Sequence, residues 1–114
     1  MKAGRALDAL IAEKVFGEQN PPKKVSGASE WSAWRLTAEY VPRWTPKAFS
    51  TQIDDAWPVV EKLGLSVVKH DDGTNWLAGK MRWEGHEGFQ FDGNQELADT
   101  APLAICLAAL KAVE

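Results

Sequence analysis

The chain has 114 residues, 45% hydrophobic and 25% charged, with a formal net charge of −3. That length supports one hydrophobic core but not two, and the composition is that of a globular domain, not of a disordered or fibrous chain. A net acidic protein is not built to coat long DNA or RNA, which needs a basic excess, although a small basic pocket for one nucleotide stays open.

Charges interrupt the first fifteen residues every few positions, so no signal-peptide core is expected there. Leu7, Leu10, Ile11 and Val15 recur at i, i+3, i+4 and i+8, with Arg5, Asp8, Glu13 and Lys14 mostly off that stripe. This spacing predicts an amphipathic helix over residues 3–16, stopped by Gly17. Residues 18–29 are punctuated by Pro, Gly, Ser and Lys and read as an exposed loop. The loop continues as a Trp-rich stretch to about residue 48. Part of 35–41 has strand character, but Pro42 and Pro46 stop any long element.

Ser50 or Thr51 is then placed to cap a second helix, with Asp54 in a position like that of a capping box. Ile53, Trp57, Val60 and Leu63 give its buried stripe and Gly64 its end. Pro58 removes an interior hydrogen bond, which predicts a kink or a short first turn. A strand over 65–70, an Asp71-Asp72-Gly73 turn and a strand over 75–83 follow. Leu77, Met81 and Trp83 would face one side of that strand, and Ala78, Lys80 and Arg82 the other. After a turn at 85–88, Phe89 and Phe91 mark a third strand, completing a β-meander, and 92–98 reads as a linker.

The last helix opens with Asp99 or Thr100 as cap and Pro102 in its first turn, where the missing N–H costs nothing. No side chain from 101 to 110 is charged, so this helix is buried on more than one side, in a small core or at a subunit interface. The order α-α-β-β-β-α segregates helices from an antiparallel sheet. That makes a single α+β domain over residues 1–114. Cys106 is the lone cysteine and reads as a small buried hydrophobe, in keeping with a reducing cytoplasm. No apolar run reaches the length of a membrane span.

One constellation stands out. Trp31, Trp34, Tyr40 and Trp44 lie close in sequence to Arg35, Arg43 and Lys47. Indole faces stack on nucleobases, and Arg or Lys neutralises phosphate. The same tryptophans could instead fill a small core, yet six in the chain exceed what one core of this size needs. The helix starts at Ser50-Thr51 and Asp99-Thr100 offer free amides and a positive dipole end for an anion, or plain capping. Asp54 and Asp55 would repel phosphate there, while either could hold a ribose hydroxyl or an amine. His70 beside Asp71 and Asp72 is the best arrangement for a metal, but no second His or Cys stands at ligand spacing. No nucleophile elbow, P-loop, zincin or dinucleotide motif is present, so catalysis, metal and cofactor are not expected.

The stretches A-G-R-A-L-D-A-L-I-A-E-K-V-F-G, F-S-T-Q-I-D-D-A-W-P-V-V-E-K-L and A-D-T-A-P-L-A-I-C-L-A-A-L-K-A-V resemble, in the same order, three signature segments of the phage ABA sandwich domain family. That resemblance implies a layered helix/antiparallel-sheet/helix sandwich, a phage setting and no enzymatic activity. Ser50, Thr51, Asp54, Trp57, Thr100 and Pro102 fall on motif positions, each with a capping or packing role open to it. Pro58 departs from the family pattern, and the tryptophan-rich segment has no counterpart in it.

Two kinds of binding function follow. The first is a non-enzymatic phage accessory protein that sequesters a small nucleotide-type immune signal, a cyclic oligonucleotide or cyclic ADP-ribose isomer, in the cytoplasm of the infected bacterial host. Trp34, Arg35, Arg43, Trp44, Lys47, Ser50, Thr51, Asp54, Trp57 and Thr100 are its candidate contacts, with a homodimer or higher homo-oligomer expected around the apolar last helix. The second is a protein-interaction module, an inhibitor or adapter, since exposed Trp and Arg are the usual interface anchors. An enzyme using His70, Asp71 and Asp72 around a metal is a distant third.

Overall fold

The computed structural model describes residues 2–18, 33–37, 43–83, 85–91 and 95–113. Helix α1 (Arg5–Lys14) is followed by strands β1 (Trp34–Thr37) and β2 (Arg43–Pro46), then helix α2 (Ile53–Leu63). Strands β3 (Ser66–Lys69), β4 (Trp76–Gly79), β5 (Met81–Trp83), β6 (Phe89–Phe91) and β7 (Glu96–Ala98) lead into α3 (Ala101–Val113), with a short 3-10 turn at Gly85–Glu87. The molecule is the expected α+β sandwich of helices and antiparallel sheets.

Helix α3 organises it. One flank packs on β4, β7 and β3, and another on α2 and α1. Pro102, Ala104, Ile105, Cys106, Ala108 and Ala109 are buried, and Leu103, Leu107 and Leu110 pack partly against the same core. Most of the uncharged run is thus covered within one chain, by the sheet on one flank and by α2 and α1 on another, with Leu103, Leu107 and Leu110 half-buried. A Lys111–Glu96 ion pair, 2.7 Å, ties its last turn to β7.

In α1 the buried positions are Leu7, Asp8, Ile11 and Ala12, and Val15 follows them into the core. Beyond Lys14 the Gly17 amide donates to the Glu13 carbonyl and the Glu18 amide to the Ala12 carbonyl. Helix α2 runs unbroken from Ile53 to Leu63, so the kink expected at Pro58 does not interrupt it. The proline leaves the Asp54 carbonyl without its i+4 donor, but Asp54 is exposed and water can serve there. Gly64 ends the helix in the left-handed conformation, φ 67° and ψ 39°, which glycine adopts without a Cβ penalty.

The buried stripe of α2 is rotated from the expected one. Ala56, Val59 and Val60 are buried and Leu63 packs against the core, whereas Ile53 is 45% and Trp57 50% exposed. Spacing alone could not settle this phase, because apolar residues occupy more than half of the circumference. The side that is buried carries the small Ala56 with Val59 and Val60, and α2 packs against α3.

The stretch read as a loop contains a hairpin: β1 and β2 pair antiparallel, with Trp34 opposite Pro46, Arg35 opposite Thr45, Leu36 opposite Trp44 and Thr37 opposite Arg43. The stretch read as a linker contains β7. Sheet order is β3-β4-β7, while β5 and β6 form a separate ribbon. The single strand expected over 75–83 is thus divided at Lys80, its first half flanked by β3 and β7 and its second by β6. Gly79 sits at the division. A Cβ there would come within 2.9 Å of the Gln95 Cα, so the entry of β7 requires glycine. The side of β4 that carries Ala78 is the one turned to the core, and Trp83 on β5 is 65% exposed.

Candidate functional site

A buried polar clasp joins α1 to the turn before α2. The Ser50 hydroxyl donates to Asp8 Oδ1 at 2.6 Å and accepts from the Gly4 amide at 2.9 Å, and the Ser50 amide donates to the same Asp8 oxygen at 2.8 Å. Both side chains are buried. Ser50 therefore does not cap α2: the cap position is Gln52, with no side-chain bond. The helix start is instead braced by Asp55, whose Oδ2 accepts from the Ala48 amide at 2.9 Å. The capping-box reading through Thr51 and Asp54 is off by one residue, and both of those side chains are exposed.

Asp8 was the functional-looking group that sequence reasoning missed. It lies midway on the face formed by Leu7, Ile11, Ala12 and Val15, so its burial was readable from spacing, and a buried carboxylate needs hydrogen-bond donors. Its charge reaches Cys106 on α3: burial, and then Asp8, push that thiol far above its ordinary pKa. The three segments that carry the family resemblance thus meet around Asp8, Ser50 and Cys106, and the contacts among them are structural.

Around the end of α1 the Phe16 and Phe49 rings stack, 5.5 Å between centroids, with Lys62 Nζ 5.8 Å from the Phe16 centroid. Ala33, Lys47, Asp54, Asp55 and Pro58 complete a pocket of about 40 Å³ there. Phe16 and Pro58 also border a shallow groove of about 360 Å³, together with Glu61 and Lys62. The pocket holds a water or two and no more, since drug-sized ligands occupy about 300–1,000 Å³. Glu18 accepts a hydrogen bond from the Ala33 amide at the same end of the molecule.

Of the expected contacts, Lys47 and Asp54 are brought together at this pocket, and Trp57 stands on the exposed side of α2. Asp54, Trp57 and Glu61 are three and four residues apart and so share one helix face. Trp34, Arg35, Arg43 and Trp44 are collected on the β1–β2 hairpin. Thr100 belongs to a different place, the start of α3, where its hydroxyl accepts from the Leu103 amide at 3.4 Å and caps the helix. Trp31 and Tyr40 lie outside the described residues.

Asp72 braces its own turn. Its Oδ1 accepts from the Thr74 and Asn75 amides at 2.9 Å, and its Oδ2 from the Asn75 side chain at 2.8 Å. These backbone donors hold its carboxyl well below the usual carboxylate range. His70 Nδ1 is 3.3 Å from Asp72 Oδ2. Among the described residues no group of three or more His, Cys, Asp or Glu converges as a metal cluster. No helix among them is long and apolar enough to cross a membrane.

A second apolar surface lies on the outward face of the β3-β4-β7 sheet. Leu77 is directly opposite Val68 on one side and Leu97 on the other, so the three share a face. Val68 is 38% and Leu97 48% exposed.

The model of the family described as "Phage ABA sandwich domain" matches residues 9–110. A crystal structure of a phage protein from Bacillus cereus ATCC 14579 is similar over 99% of this chain and 88% of that one, with 28% sequence identity and a TM-score of 0.60. No match was found among curated proteins. The chain belongs to the phage ABA sandwich domain family.

Proposed function

We propose that this phage ABA sandwich protein is a non-enzymatic accessory protein that works by binding, and that the outward face of α2 docks on a host or phage protein. The observation that carries this reading is the exposure of Ile53 and Trp57, four residues apart on a helix whose opposite face fills the core. Tryptophan is the side chain most enriched at interface anchors, and a half-exposed apolar pair beside an open groove is the usual form of a helix-face recognition site. The test is co-purification from phage-infected cells with the wild-type chain and with I53S/W57S. The reading predicts a stoichiometric protein partner that the double variant fails to retain; equal retention by both would overturn it.

A second reading keeps the nucleotide-type immune signal as the captured molecule, with the protein acting as a sponge in the host cytoplasm. Its support is the pairing of β1 with β2, which gathers Trp34, Arg35, Arg43 and Trp44 on one ribbon. The groove beside α2 does not favour it, because Asp54, Asp55 and Glu61 oppose a phosphate there. Thermal shift with a panel of cyclic oligonucleotides and cyclic ADP-ribose isomers separates the two readings: a ligand at a hundredfold excess over its Kd stabilises by about 2.7 kcal/mol. If copies of this chain associate, we propose the uncharged Val68–Leu77–Leu97 face as the surface for it, since most of α3 is covered within the chain. Sedimentation at rising protein concentration tests that.

A further inference from the structure

Resting on the docking reading above, we infer that the α2 face takes a basic, amphipathic protein segment, with apolar anchors for Ile53 and Trp57 and a Lys or Arg for the carboxylates between them and the groove. Apolar and acidic side chains share a single helix face, which suits a partner of opposite charge. At 100° per residue, Ile53, Trp57, Glu61, Asp54 and Pro58 follow one another around about 140° of arc. That order puts two exposed carboxylates directly beside an exposed indole. An indole face and a carboxylate side by side form a receptor for a guanidinium or ammonium, the ring by cation–π attraction and the carboxylate by a charge-assisted hydrogen bond.

Beyond Glu61 the surface falls into the groove floored by Phe16 and Pro58, which offers an apolar seat for the stem of a long cationic side chain. Of the basic groups on that side, Lys62 lies over the Phe16 ring and Lys47 lines the small adjoining pocket with Asp54 and Asp55. The chain as a whole is acidic, at −3, so a basic segment is also drawn in at long range. An acidic partner would meet like charge at Asp54 and Glu61, and a wholly neutral one would leave both carboxylates desolvated without a partner.

The probe is a synthetic amphipathic helical peptide of leucine and lysine, set against its leucine–glutamate and leucine–glutamine counterparts and titrated onto the full chain by isothermal calorimetry. Binding of the lysine peptide alone is expected. It should weaken on the order of fivefold in D54N/E61Q, the scale of two exposed ion pairs, and weaken again as salt rises past the Debye screening range. Loss of binding in I53S/W57S is expected as well. Equal binding of all three peptides, or indifference to both salt and D54N/E61Q, overturns the basic-partner inference while leaving the docking face in place. Full binding to I53S/W57S overturns both, and failure of the lysine peptide to bind the wild type overturns the inference.

Discussion

Replacing Ser50 by alanine removes a hydroxyl that serves Asp8 and the Gly4 amide at once, inside the protein. Loss of one partner from a buried hydrogen-bonded set costs about 1–3 kcal/mol, so S50A should lower the unfolding free energy by that amount, read as a lower urea midpoint with the m-value unchanged. Cys106 gives a pH prediction. Its thiol is pushed up in the folded protein, whereas in the unfolded chain it ionises near its ordinary value of about 8.5. Above that pH the unfolded state holds fewer protons than the folded one, so stability falls as pH rises. The stability of the wild type should therefore decline from pH 8 to 10 by more than that of C106A, compared as slopes because the alanine also shifts the baseline. Equal slopes would mean that the thiol is not held protonated.

The helices differ in how much of them the chain spells out. α1 and α3 were legible because each has a clear limit: Gly17 stops the first, and the uncharged run of the third leaves no side that prefers water. α2 was legible in extent but not in phase, since both Ile53–Trp57 and Ala56–Val59–Val60 satisfy helical spacing, and the choice is made by what α3 packs against. The strands β1, β2 and β7, each four residues or fewer, were hidden for a related reason. β7 pairs with β4, well before it in the chain, while β1 and β2 pair with each other; proline at 46 and a polar stretch before Glu96 look like loop locally. As for the candidate site, Lys47 and Asp54 line one small pocket, while Ser50 lies in the clasp and Thr100 caps α3. The phase of α2 is checked by a paired substitution. I105A, at the fully buried centre of α3, should cost about 2–5 kcal/mol, and I53A should stay within about 0.5 kcal/mol of wild type. A large cost for I53A would return that residue to the core.

At the scale of the whole molecule, the protein divides its apolar residues between cohesion and exposure. Phe16, Phe49, Leu7, Ile11, Ile105 and the alanines of α3 close the interior. Ile53 and Trp57 on α2, Val68 and Leu97 on the sheet and Trp83 on the β5–β6 ribbon remain open to solvent. On the proposed reading, a partner covers Ile53 and Trp57, which stand together on one helix face. The separation also explains why so few of the residues shared with the family in α1, before α2 and in α3 point to a site: most of them hold the frame. The measurement that bears most directly on this account is hydroxyl-radical footprinting of the free protein and of the protein in its co-purified complex. Trp57 and Ile53 should be labelled in the free state and protected in the complex, with Ile105 unlabelled in both. Labelling of Trp57 that is absent in the free protein, or undiminished in the complex, would contradict it.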